Sequence, residues 1–259
     1  MTNSESKYAQ YPSLHGRRVL ITGGATGIGE AFVAQFAAQG AQVTFLDIQD
    51  QAAHNLAARI AASGCPAPRY LHCDMTDLDQ VKASVAKAIE GMSGLDILLN
   101  NAANDQRHSI EEVTTELWDR LMAVNLRHQF FVIQAALPAL RQSGSGTIVN
   151  MSSIAWIIPA VGMPVYIAAK AAIVGLTNTL SHELGKDNIR INAILPGAIL
   201  TEKQRRLWLT PEYSAEILSN QALKRHIVPD EVVRLALFLA ADDSSGITGQ
   251  GYIVDGGWV

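Results

Sequence analysis

Short apolar runs alternate with amphipathic stretches of helical length almost from one end of the chain to the other. Seven such runs stand out, at residues 17–23, 41–47, about 69–73, 95–101, 146–153, 188–197 and 251–257. Most close on Gly, Asp or Asn. Helical patterns fill the intervals over about 27–39, 50–63, 77–91, 115–142 and 164–185, with a last one over 229–241. Runs that stay apolar without alternating are buried on both faces, as strands of a parallel sheet are. Strand–helix–strand alternation at this spacing requires right-handed crossovers, with helices covering both faces. The expectation is an α/β fold, a doubly wound parallel sheet of about seven strands. No linker-like change in composition divides the 259 residues, so they read as a single domain. Residues 1–16 read as a loose polar arm, and residues 200–222 as a lid.

Composition narrows the partners. With 48% hydrophobic and 17% charged residues, the chain can fill one large core. Lys and Arg number 20 against 24 Asp and Glu, so no basic face is expected for nucleic acid or an anionic membrane. The longest weakly charged stretch, 147–170, is interrupted by Pro159, Pro164 and a Ser pair and reads as core, not a membrane span. Cys65 and Cys73 form no C-x-x-C pair, and the polar N-terminus lacks an apolar signal-like region. Both observations point to a cytoplasmic setting. No His, Cys or carboxylate cluster has the spacing of a metal site.

The first strand runs into TGGATGIGE, with Gly23, Gly27 and Gly29 spaced G-x-x-x-G-x-G before a helix. In that setting backbone N–H groups can approach a pyrophosphate at the positive end of a helix, which makes the sheet Rossmann-type. Asp47 ends the second strand. Two readings stand for it: a carboxylate that binds both ribose hydroxyls and repels a 2′-phosphate, favouring NAD over NADP, or a helix N-cap. Asp74, closing the third strand, has the same pair of readings, with the adenine edge as ligand. Asn100, Asn101 and Ala102 end the fourth strand, where amides can steady the adjacent loop. Asn125 interrupts a helical pattern that disfavours it, and is either a polar functional group or part of an exposed face.

Tyr166 and Lys170 are four residues apart in a helical pattern and so share one face. A tyrosine hydroxyl with a pKa of about 10 is a poor base near neutrality. A neighbouring ammonium favours the phenolate, and lowering the pKa by about three units takes roughly 4 kcal/mol of charge interaction. Tyr166 is then in range to exchange a proton with an alcohol or carbonyl oxygen. Ser153, thirteen residues earlier, arrives from a strand end and can hydrogen-bond the same oxygen.

Thr22–Gly29, Asn100–Ala102, Asn125, Ser152–Ser153, Tyr166 with Lys170, and Pro196–Thr201 occur in the order seen in short-chain dehydrogenases/reductases. The chain resembles that family from about Arg17 to its end. The resemblance implies that Tyr166 is the acid/base, that Ser153 orients the substrate oxygen, and that Lys170 binds the nicotinamide ribose and lowers the Tyr166 pKa. Asn125 would hold a water in a proton relay. The implied NAD contacts are Gly23, Thr26, Gly27, Ile28, Gly29, Asp47, Asp74, Met75, Asn101, Tyr166, Lys170, Pro196, Gly197, Ile199 and Thr201. One departure is Ala103, where the family usually has a glycine after N-N-A. A homotetramer is also implied, with the long helices around Asn125 and Tyr166 and the C-terminal strand as contact surfaces.

Specificity has to come from the loops at the strand ends. NAANDQRH offers Asn104, Asp105, Gln106, Arg107 and His108, a dense donor and acceptor set suited to a polyhydroxylated ligand, or to plain solvation. Trp156 can pack on a sugar ring or in a core. Lys203, Arg205 and Arg206 in the lid can attract an acid group or line a solvated helix face. Asn104, Arg107, Ser153, Trp156 and Tyr166 are the candidate substrate contacts. The loop, Trp156 and the closing V-D-G-G-W look like the family's bacterial sugar dehydrogenases. The resemblance implies oxidation of an aldose at C1 to its lactone, with a 2-keto-3-deoxy sugar acid or another secondary alcohol as alternative substrates. A non-catalytic NAD-binding regulator is the remote alternative.

Overall fold

A computed structural model describes residues 8–259. Seven strands form one sheet: β1 (Arg18–Thr22), β2 (Gln42–Asp47), β3 (Arg69–His72), β4 (Ile97–Asn100), β5 (Thr147–Met151), β6 (Arg190–Pro196) and β7 (Gly251–Val254). Their order is β3-β2-β1-β4-β5-β6-β7, and every pairing is parallel. The order reverses between β1 and β4, which opens a crevice at their carboxyl ends.

Successive side chains on a strand point to opposite faces, and the core divides accordingly. Val19, Ile21, Ile97 and Leu99 face α1 (Gly27–Ala38), α2 (Asp50–Ala62) and α9 (Pro229–Ala240). Leu20 and Leu98 face α3 (Leu78–Met92), α5 (His128–Ser143) and α6 (Pro164–Leu184). Phe32 and Phe36 of α1 are fully buried. Truncating either to alanine should cost about 3–5 kcal/mol. Among the described residues no helix is long and apolar enough to cross a membrane.

Two local expectations need correction. Part of the arm is packed: Leu14 is fully buried, and the Tyr11 N–H donates to Gln39 Oε1 at 2.8 Å. Residues 1–7 lie outside the described chain. The helical pattern over 115–142 is interrupted: α4 (Thr115–Met122) meets α5 through a π-helical turn, Ala123–Arg127. Asn125 sits in that turn and donates to the Leu121 carbonyl at 3.0 Å, a side-chain competitor for a backbone acceptor. Segment 200–222 holds two short helices, α7 (Glu202–Leu207) and α8 (Pro211–Asn220).

Candidate active site

The β1–α1 turn occupies one side of the crevice. Gly23 has φ +67°, and a Cβ there would lie 2.6 Å from Ala102 Cα. A Cβ on Gly29 would lie 1.8 Å from the Gly23 carbonyl oxygen. The turn is therefore closed against its own helix to a depth that only glycine permits. Asn101 braces it from β4, donating to the carbonyls of Gly23 at 2.8 Å and Thr22 at 3.2 Å. Thr22 Oγ1 accepts the N–H groups of Asn101 and Ala102 at 3.0 and 3.1 Å. Across the crevice, Thr201 Cγ2 would be 3.4 Å from a Cβ on Gly27. A backbone-lined cradle at the start of α1, bounded by Thr201, fits a dinucleotide pyrophosphate.

Neither Asp47 nor Asp74 caps a helix. Asp47 is buried, its Oδ2 accepting from the Ala25 N–H at 2.9 Å and its Oδ1 from the Gln49 N–H at 3.0 Å. The N-cap position of α2 is Gln49, so Asp47 ties the glycine turn to β2 instead of capping a helix. Asp74 Oδ1 accepts from the Thr76 N–H and hydroxyl, both at 2.8 Å, while Asp77 caps α3. The Met75 side chain is core, buried in the layer with α3 and α5. Gly197 sits so close to Asp255 that a Cβ would lie 2.7 Å from that residue's own. Pro196 ends β6, Ile199 is buried, and Thr201 caps α7 through the Gln204 N–H. Thr26 precedes α1 and is exposed, with Ile28 half-buried behind it.

Opposite the turn, α6 presents Tyr166 and Lys170. Lys170 is 1% exposed, its Nζ donating to the Met151 carbonyl at 2.8 Å and standing 5.3 Å from the Tyr166 ring centre. The structure separates the two serines. Ser152 donates to the Lys170 carbonyl at 2.7 Å and is pinned to α6, whereas the Ser153 hydroxyl accepts the Ala155 N–H at 3.1 Å and acts on the Tyr166 hydroxyl, lowering its pKa. Burial pushes Tyr166 up to about 12; the Asp105 carboxylate adds to the rise, and the Ser153 hydroxyl and Arg107 oppose it. Burial pushes Lys170 down to about 7, against a raising influence from Asp105. Lys170 is not among the groups that lower the Tyr166 pKa; Ser153 and Arg107 are. Desolvation disfavours both charged forms.

Asn125 is fully buried, which removes the exposed-face reading. Its Nδ2 donates to the Asn104 carbonyl at 3.0 Å and its Oδ1 accepts the Asn104 N–H at 2.8 Å. With the Leu121 bond, both amide hydrogens are committed to backbone, so the side chain clamps the substrate loop. The π-turn also delivers two residues that sequence reasoning missed. His128 and Gln129 are both fully buried, with His128 Nε2 and Gln129 Oε1 lacking partners among the described residues. Gln129 Nε2 reaches the carbonyl of Met151 at 3.5 Å, the acceptor that Lys170 uses. Burial, with the Lys170 charge, pushes His128 down to about 3, so the imidazole is neutral. The available signal was a polar pair on the stripe that continues with Val132, Ile133 and Ala136.

The crevice mouth is closed by side chains. Lys203 pairs with Asp105, and the Arg107 guanidinium carbon stands 5.5 Å above the Trp208 ring. Lys203 is therefore engaged, while Arg205 and Arg206 are exposed. His108 is buried and structural, with Nδ1 on the Gln106 carbonyl at 2.9 Å and Nε2 accepting the Val165 N–H at 3.5 Å. It fastens the loop beside Tyr166. Asn104 is exposed and accepts the Gln106 N–H at 3.1 Å. Trp156 is 37% exposed and belongs to none of the core clusters, which removes the core reading. Ala103 causes no strain, because among the described residues only Ser93 and Asn188 combine a side chain with positive φ.

A switch-point crevice with a glycine cradle on one side and Ser, Tyr and Lys on the other defines a nicotinamide-type oxidoreductase. The chain belongs to the short-chain dehydrogenase/reductase family. Residues 23–259 match the family model described as enoyl-(acyl carrier protein) reductase. The chain is 47% identical to a Rhizobium meliloti protein named as a probable galactose dehydrogenase, over 96% of this chain and 97% of that one. It is 45% identical to the D-xylose 1-dehydrogenase of Caulobacter vibrioides, over 96% and 98%. A crystal structure from Sinorhizobium meliloti 1021, described as a short-chain alcohol dehydrogenase, superposes with a TM-score of 0.90 at 30% identity, covering 95% of this chain and 98% of that one.

Proposed function

We propose that this protein is an NAD-dependent sugar dehydrogenase that oxidises C1 of an aldose to its lactone. The observation that carries the reading is the Ser153–Tyr166–Lys170 group, set across the crevice from the glycine cradle. Sugar dehydrogenases among its relatives, one of them named for position 1, support the substrate class.

NAD, when bound, supplies the hydride acceptor. Tyr166 would take the proton of the anomeric hydroxyl on its phenolate oxygen, and Ser153 would hydrogen-bond the same substrate oxygen. Lys170 would hold the cofactor ribose and add positive charge beside the phenolate. Asn125 fixes the Asn104 backbone and would hold a water in a proton relay from Lys170. Because burial pushes Tyr166 up to about 12, oxidation rises with pH through the alkaline range. Asp47 favours NAD, since a 2′-phosphate would meet a buried carboxylate already holding two N–H groups.

The enzyme works in the cytoplasm as a homotetramer. Support comes from the unpaired Cys65 and Cys73 and from exposed Trp118 on α4 and Phe130 on α5. Sizing chromatography checks the assembly. The decisive assay is NAD reduction across aldoses, keto-sugar acids and simple secondary alcohols, with product analysis. Lactone from an aldose is the expected result, and turnover confined to sugar acids or simple alcohols would overturn it.

A further inference from the structure

Trp208 follows α7 at the mouth of the crevice, and its indole nitrogen is sealed from solvent with no acceptor among the described residues. An indole N–H is a donor only, and a buried donor without an acceptor is costly. The nitrogen is not hidden in the sheet core, because α7 contributes no buried residue and Trp208 as a whole is half-buried. The ring carrying it lies against the substrate loop. Arg107 lies 5.5 Å over the ring, and Lys203, in the preceding turns of α7, holds Asp105. Arg107 and Asp105 are the two loop charges that act on the Tyr166 hydroxyl. Trp208 therefore borders the space in which a substrate must sit to reach Tyr166.

We infer that Trp208 Nε1 donates a hydrogen bond to a sugar hydroxyl remote from the oxidised carbon, making Trp208 a specificity-determining residue. The inference rests on the sugar-dehydrogenase reading. A hydroxyl oxygen supplies the missing acceptor, and a site built to bond a hydroxyl rejects the analogue that lacks it. The guanidinium above the ring fixes the indole plane and so the direction of the N–H.

The test compares kcat/KM for the best aldose and for its monodeoxy analogues, with wild type and Trp208→Phe. Phenylalanine keeps an aromatic face beneath Arg107 and removes only the donor. The wild type should prefer the parent sugar over one particular deoxy analogue by about tenfold to a hundredfold. Trp208→Phe should erase that one preference through KM, with kcat and NAD affinity little changed. The wild-type comparison needs no variant, so a failure of Trp208→Phe to fold leaves it in force. Equal use of all deoxy analogues by the wild type would overturn the inference, as would a preference undiminished in Trp208→Phe. Absence of any aldose oxidation by the wild type is the separate failure of the parent reading, visible before any variant is made, and it takes this inference with it.

Discussion

The two sides of the crevice are held by different kinds of contact. On the cofactor side, backbone meets backbone: Gly23 against Ala102, Gly29 against the Gly23 carbonyl, and Asn101 bonded to two main-chain oxygens. At the substrate mouth, long side chains meet: Lys203 with Asp105, and Arg107 on Trp208. Backbone contacts leave no slack, because nothing there can rotate away from an added atom. Side-chain contacts near the surface contribute little each, and they are screened and replaceable. One architecture thus couples an inflexible cofactor site to a mouth that can be retuned for different substrates.

The largest effect should come where the two sides meet. Tyr166→Phe removes the proton acceptor while keeping the ring that Lys170 faces. Turnover should fall by about 10²–10⁴ or more, with NAD affinity by calorimetry nearly unchanged. Retained activity would show that the proton leaves by another route. Next in size is Gly29→Ala, whose Cβ would meet the Gly23 carbonyl at 1.8 Å. NAD affinity should drop by more than about tenfold and stability by about 1–3 kcal/mol. Gly175→Ala is the matched control: it lies in α6 with nothing within 4 Å of the new methyl, and should be neutral or stabilise by up to about 1 kcal/mol. Similar melting shifts for both variants would break the distinction between the two kinds of contact.

The same division explains what could be read in advance. The sheet was legible because each strand is a short apolar run and each crossover a helical period. The glycine turn was legible because close backbone approach restricts the residue type itself. Asp47 and Asp74 were placed at their strand ends, yet their bonds to Ala25 and Thr76 were not foreseen. Neither bond follows from local spacing, since Ala25 reaches Asp47 only once β1 and β2 pair. The π-turn was hidden for the same reason, as Asn125 breaks the helix by bonding Asn104, a residue 21 positions away. Spacing brings Lys170 beside Tyr166 and says nothing of the desolvation that acts on both. The pairings at the mouth join segments about a hundred residues apart and left no periodic trace.

The mouth can also be probed through the charge it places on the reacting group. Asp105 raises both Tyr166 and Lys170, and Lys203 is the cation paired with Asp105. Asp105→Asn removes a negative charge that favours the protonated form of each. Both pKa values should then fall, and the kcat/KM profile should move to lower pH. The direction does not depend on which residue carries the limb, because Asp105 raises both. Lys203→Ala leaves the Asp105 charge uncompensated and should move the profile the other way. The second shift should be the smaller, because the Lys203 side chain is 51% exposed and water already screens much of its charge. Raising the salt concentration should shrink the Lys203→Ala shift more than the Asp105→Asn shift, since Asp105 is the less exposed partner at 23%. Shifts of the same sign in the two variants would mean that the lid positions the substrate loop mechanically, with its charge playing no part.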